Sequence, residues 1–253
     1  MKEKSNYIFG RNPVLEAIAS GNPIEKIFIC YGSAGDSVNS IFSMAKKNGI
    51  KCTNLDKRKY AELERKELPN GSKTQGIIAL LRKYESLSFN ELIFKSLSVK
   101  KNPVIVVLDG ITDPHNLGAI ARSAECAGAS GIVLPEHNSA PITPVSVKSS
   151  AGALNHIPVA KVTNLTQALQ TLKDNGFWIV GTSSDAERLY TDKIYNIPVV
   201  LLIGSEGKGL RPGVIKQCDF IVKIPLHGKI SSLNASVSAG IILFEIARQR
   251  ENI

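Results

Sequence analysis

The stretch that decides the fold is VIVVLDGITDPHNLGAIARSAECAG, residues 104–128. It opens with an uninterrupted apolar run, Val104 to Leu108, the mark of a strand buried on both faces. A polar loop follows, and Asp113-Pro114 then starts a helix. Aspartate caps the first turn, and proline suits the first helical position because it has no N–H to leave unpaired. Leu117, Ile120, Ala121 and Ala124 recur at helical spacing, and Gly128 supplies the stop. A buried strand feeding a helix directly puts the helix N-terminus at the carboxyl edge of a sheet, where open α/β folds bind ligands. Asn116 lies in that first turn, and Arg122 lies well off the apolar stripe.

Working outward, the same signature repeats. Residues 131–134, 157–160, 177–181, 199–204 and 220–224 read as further strands, most of them separated by helix-like stretches, and a helix closes the chain at about 234–250. This alternation predicts an α/β fold with a mostly parallel sheet covered on both faces. Upstream, residues 1–83 form a smaller α/β unit: a helix from Val14 stopped by Gly21, a strand over 26–30, a helix over 36–49, a short strand at 52–55, a charged helix over 57–66 and a strand over 76–81. Residues 84–102 read as a linker or a docking helix, which leaves 103–253 as the larger domain.

Composition fits a globular protein: 43% of residues are hydrophobic and 21% charged. No apolar run is long enough to span a bilayer, and the N-terminus MKEKSNYIFG lacks the core of a signal peptide. The four cysteines show no CxxC spacing and the four histidines no ligand spacing. The expectation is therefore a cytoplasmic protein with reduced thiols, no metal and no membrane partner. The net charge of +9 is uneven. Residues 1–100 hold 17 Lys+Arg against 10 Asp+Glu, whereas residues 101–253 hold 14 against 12. A basic N-terminal part suits a polyanion such as nucleic acid, although a solvated basic surface gives the same count.

Three more segments sit at strand ends. Gly204-Ser205-Glu206-Gly207-Lys208-Gly209-Leu210 is neither a P-loop nor a GxGxxG loop. Its glycines let backbone approach a ligand closely, and Glu206 at its centre argues against phosphate and for a neutral or cationic ligand. The segment from Ile224 to Ser236 gives the last helix an unusually polar, small-residue entry in which Ser232 or Asn234 serves as cap. Thr182-Ser183-Ser184-Asp185 stands directly after a strand, a suitable place for a ligand contact at Thr182. Taken singly, each has a structural explanation: a solvated arginine, a surface turn, a helix cap.

Together, N-x-G-A-I-x-R (Asn116 to Arg122), L-I-G-S-E-G-x-G-L (Leu202 to Leu210) and I-P…S-S-L-N-x-S (Ile224 to Ser236) resemble the three motifs of the SpoU/TrmH family of S-adenosylmethionine-dependent RNA ribose 2′-O-methyltransferases. G-x-N-P-V-x-E-A (Gly10 to Ala17) matches the start of that family's ribosomal-protein-like, RNA-binding N-terminal domain, so the resemblance covers nearly the whole chain. It is most similar to the branch that methylates a guanosine in large-subunit ribosomal RNA. The resemblance implies a SPOUT domain with a deep trefoil knot and a homodimer formed through it, with S-adenosylmethionine as cofactor. It further implies that Gly204, Ile224 and Leu233 hold the cofactor, largely through backbone groups, and that Asn116, Arg122, Glu206, Ser232 and Asn234 form the catalytic cluster.

In such a reaction a ribose hydroxyl attacks a sulfonium methyl, and positioning supplies a large share of the barrier reduction. A guanidinium holds its proton tightly, so Arg122 suits phosphate binding or polarisation of the hydroxyl better than general base work. Asn116, Ser232 and Asn234 would orient the ribose, and Glu206 would anchor Arg122 or a neighbouring loop. Lys57, Arg58 and Lys59 are candidates for phosphate contacts. Two alternatives are a transfer RNA 2′-O-methyltransferase and a non-catalytic RNA-binding protein of the same fold.

Overall fold

The computed structural model describes residues 7–81 and 86–251, so the boundary expected at 83/84 lies outside the described residues. The chain divides into two compact units, residues 1–84 and 85–253.

The first unit runs β1 (Tyr7–Phe9), α1 (Arg11–Ala19), β2 (Ile24–Cys30), α2 (Asp36–Lys47), β3 (Lys51–Leu55), α3 (Lys57–Glu67) and β4 (Ile77–Leu81). Its sheet has the order β1-β4-β2-β3. β2 and β3 are parallel, and β4 runs antiparallel to both β1 and β2. Alternate residues of a strand face opposite sides, so Ile27, Ile29, Ile77 and Ala79 meet Val14 and Ile18 of α1 and Val38 and Ile41 of α2, while Ile78 meets Tyr60 of α3 and Leu68. Asp56 starts α3 by accepting a hydrogen bond from the Lys59 N–H at 2.9 Å, which also holds its carboxyl below the usual range.

The second unit begins with α4 (Phe89–Val99), within the stretch read as a linker or docking helix. Ser88 and Glu91 form a capping box, Leu92 and Ile93 are buried in this unit's core, and Leu87 bridges to Ala160. There follow β5 (Val104–Asp109), α5 (Pro114–Cys126), β6 (Gly131–Pro135), α6 (Pro144–Ser149), a 3-10 turn (Ala153–Asn155), β7 (Val159–Val162) and α7 (Leu165–Asp174). The chain continues through β8 (Trp178–Thr182), β9 (Arg188–Leu189), β10 (Val199–Gly204), α8 (Pro212–Ile215), β11 (Phe220–Lys223) and α9 (Ala235–Glu251).

The seven strands take the order β7-β6-β5-β10-β8-β11-β9, and every pairing is parallel. One face, carrying Ile105, Val107, Val133, Ile179, Val200 and Leu202, is covered by α4, α7 and Leu210. On the other face α5 packs against β6 and α9 against β10, and the two helices pack on each other. Burial on both faces explains why these strands read as continuous apolar runs. No helix of the described residues is long and apolar enough to cross a membrane.

Candidate active site

The carboxyl ends of β8, β10 and β11 point to one place. There, Thr182, Gly204 and Ile224 border a cleft of about 290 Å³, near the lower end of the range for small-molecule sites. Glu206, Ser232 and Leu233 line the same cleft, so six of the nine residues expected from sequence to serve catalysis or cofactor binding are gathered there. The Thr182 hydroxyl donates to the Leu202 carbonyl at 3.2 Å, tying the end of β8 to β10.

The loop after β10 closes on itself. The Ser205 N–H donates to the Gly209 carbonyl at 3.1 Å, and the Gly209 N–H donates back to Ser205 at 2.9 Å. A Cβ at position 204 would lie 2.3 Å from the Gly209 carbonyl carbon, so only glycine fits under the fold-back. Gly207 and Gly209 supply the positive φ values, 78° and 64°, that the turn needs.

Glu206, at the tip of that loop, joins the three motifs. Its Oε1 accepts from Asn116 Nδ2 at 3.1 Å, from Asn234 Nδ2 and from the Ala235 backbone N–H at 3.4 Å. Asn234 Nδ2 also donates to Asn116 Oδ1 at 3.0 Å. At the same time, Asn234 Oδ1 caps α9, accepting from the Ser236 N–H at 2.8 Å and the Ser236 hydroxyl at 2.6 Å. The cap expected from Ser232 or Asn234 is therefore Asn234, and Ser232 is left exposed on the cleft wall.

Arg122 is not part of this network. It is exposed and has no hydrogen-bond or ion-pair partner among the described residues. It follows Asn116 by six helical residues, which turns it roughly 240° around α5. Of the two anchoring roles foreseen for Glu206, the contact to Arg122 is not formed, and the tie to neighbouring segments is.

Sequence reasoning passed over Leu226, Ala235 and Ile242, which also line the cleft. Nothing in their type distinguishes them from core or loop residues; Leu226 and Ala235 fall within the third motif, whereas Ile242, about two turns into α9, carries no signal of its own. Residues 225–233 make no hydrogen bond within the described residues, so their backbone donors and acceptors remain available.

Fold and cleft together define an α/β domain with a cleft at the carboxyl edge of a parallel sheet, bordered by a glycine-rich loop and the entry to the last helix. Residues 103–244 match the SpoU rRNA methylase family and residues 7–87 match the RNA 2′-O ribose methyltransferase substrate-binding domain; the chain belongs to the SpoU methylase family. It is 35% identical over 253 residues to YacO of Bacillus subtilis (strain 168), assigned to the TrmH family of tRNA/rRNA methyltransferases, covering 100% of this chain and 99% of that one. A Staphylococcus saprophyticus protein of the same assignment is 39% identical over 246 residues, 97% of this chain and 96% of its own. Among solved structures, the SpoU methyltransferase AviRb from Streptomyces viridochromogenes superposes with a TM-score of 0.65 at 25% identity, covering 97% of this chain and 90% of that one. The AdoMet-bound rRNA methyltransferase from Sinorhizobium meliloti gives a TM-score of 0.62 at 25% identity, over 96% and 86% of the two chains.

Proposed function

We propose that this protein transfers a methyl group from S-adenosylmethionine to a ribose 2′-hydroxyl in RNA, with a guanosine of large-subunit ribosomal RNA as target. The observation that carries this reading is the Asn116–Glu206–Asn234 network, which joins three distant motifs beside a strand-end cleft. The cleft fits the cofactor. Ile224, Leu226 and Leu233 give it apolar wall, Gly204 lines it, and residues 225–233 offer unspent backbone groups. When bound, the cofactor supplies an electrophilic methyl group whose transfer converts a sulfonium to a neutral thioether.

The remaining work falls to this chain. Asn234 spends both amide hydrogens on Asn116 and Glu206 and its oxygen on Ser236, so it sets the geometry of the others. Asn116 keeps one amide hydrogen and one acceptor lone pair with which to orient the ribose. Ser232, exposed on the cleft, has a hydroxyl without a partner among the described residues and suits the same task. Arg122, with all its donors unspent, suits the target phosphate. Exposed Val237 and Phe244, seven residues apart on α9, support a homodimer through this domain, consistent with the knotted arrangement the family resemblance implies. The same reading places the enzyme in the cytoplasm.

Incubation with tritiated S-adenosylmethionine and RNA tests the reaction. Label incorporated into ribosomal RNA at a 2′-O position is the expected result. Label confined to transfer RNA favours the alternative substrate, and RNA binding without label overturns catalysis. Mapping 2′-O-methyl groups in ribosomal RNA from a deletion strain then identifies the nucleotide.

A further inference from the structure

The geometry points to Asp109 as a positioning residue for the cofactor, acting through Arg211 on the glycine-rich loop. Asp109 ends β5 and stands in register with Gly204 at the end of β10, the residue from which the loop departs. Its side chain is fully buried (0% exposed), and each carboxylate oxygen has one partner on the same residue. Oδ2 accepts from the Arg211 backbone N–H at 2.9 Å, and Oδ1 accepts from Arg211 Nε at 2.6 Å.

Arg211 is where the loop comes back. The chain leaves β10 at Gly204, turns through residues 205–209 and returns through Leu210 to Arg211, which precedes α8. The outgoing leg is held by the β-ladder. The returning leg is held by buried Leu210 and by the Asp109 carboxylate. Between them the Ser205–Gly209 backbone pair closes the turn and Glu206 ties its tip, while Gly207 and Gly209, both at positive φ, shape it, so the Asp109 clamp fixes where this closed loop sits at its return end. Gly204, Ser205, Glu206, Gly207 and Gly209 all line the cleft, so the clamp on the return leg sets the position of a cleft wall. Asp109 itself does not line the cleft, and most of the Arg211 side chain (59%) is exposed. A buried carboxylate with both oxygens committed to one loop residue is a costly device unless the placement of that loop matters.

This inference rests on the reading of the cleft as the S-adenosylmethionine site. The test compares wild type with Asp109→Asn. Asparagine has the same shape and can still accept from the Arg211 N–H, but it turns a donor toward Nε–H. The KM for S-adenosylmethionine and the Kd for S-adenosylhomocysteine are expected to rise about tenfold, the loss of one charge-assisted hydrogen bond. The kcat at saturating cofactor and the affinity for RNA are expected to stay near wild type. Asp109→Asn/Arg211→Gln restores a donor–acceptor pair, because the glutamine amide occupies the place of Nε, and is expected to recover most of the cofactor affinity. Arg211→Lys changes an exposed side chain and keeps the backbone bond, so it reports a smaller rise in KM even if Asp109→Asn fails to fold. Unchanged cofactor affinity in folded Asp109→Asn, or in Arg211→Lys should that variant alone fold, overturns the proposal. So does a parallel loss of cofactor affinity, RNA affinity and thermal stability, which marks a merely structural role. A wild-type protein that binds no S-adenosylhomocysteine overturns the cofactor reading as well.

Discussion

Glu206 sits at the centre of a constellation whose members are 90 and 28 residues away in sequence. One carboxylate oxygen takes three donors, and the other has no partner among the described residues. A carboxylate oxygen already committed to three donors serves to hold neighbouring segments in place. Glu206→Ala frees Asn116 and Asn234 together, and methyl transfer is expected to lose about 100-fold in kcat/KM, the equivalent of two charge-assisted hydrogen bonds. Glu206→Gln keeps one acceptor oxygen and is expected to lose about tenfold. Kinetics of methyl transfer read both; equal rates in the two variants and wild type would remove Glu206 from the site. Asn234 has two tasks that one substitution separates. Asn234→Ser still caps α9, so the free energy of urea unfolding is expected to hold to within about 0.5 kcal/mol, but the ties to Asn116 and Glu206 are gone and activity is expected to fall at least about tenfold. A stability loss with full activity would assign Asn234 to capping alone.

Among the elements, α5 depends on one glycine. A Cβ at Gly118 would lie 1.7 Å from Ser149 Oγ and 2.5 Å from the Ser146 carbonyl, so α5 and α6 must separate to admit it. Gly118→Ala is expected to cost about 1–3 kcal/mol in urea unfolding, despite alanine's higher helix propensity. Gly118→Ala/Ser149→Ala is expected to recover only part, because the carbonyl clash remains. Sequence could place α5, since Asp113, Pro114 and Gly128 mark its ends and Leu117 to Ala124 its buried face. It could not show α6 against it: Pro144 to Ser149 is short and weakly apolar, and α6 was not foreseen. The parallel strands were legible because burial on both faces makes them continuous apolar runs, whereas two-residue β9, with Arg188 and Leu189 both exposed, carries no such signal. Site residues were legible as motifs and not as contacts. That Asn116 meets Asn234, 118 residues later, follows from strand order, which local spacing does not encode.

At the scale of the whole molecule the charge is divided. Residues 1–100 carry a net +7 (17 Lys+Arg minus 10 Asp+Glu) and residues 101–253 a net +2 (14 minus 12). The N-terminal part therefore supplies most of the attraction for a polyanion, and the cleft with its glutamate supplies little. Within that part, Lys57, Arg58 and Lys59 are all exposed at the start of α3, but Lys59 already has an anion at 3.7 Å in Asp56. Lys57 and Arg58 are the two whose charges are left for phosphate. Each phosphate contact releases counterions, so affinity for RNA is expected to fall steeply with salt, by a slope of about −0.7 per contact on single strands. In the 253-residue chain, Lys57→Ala/Arg58→Ala is expected to weaken RNA binding uniformly across sequences and to flatten that slope by about 1.4. Methyl transfer at saturating RNA is expected to persist, because phosphate contacts position the substrate without entering the chemistry. Fluorescence anisotropy over a salt series measures the slope. A slope identical to wild type would place the electrostatic grip elsewhere in the basic unit and leave the charged face of α3 to solvent.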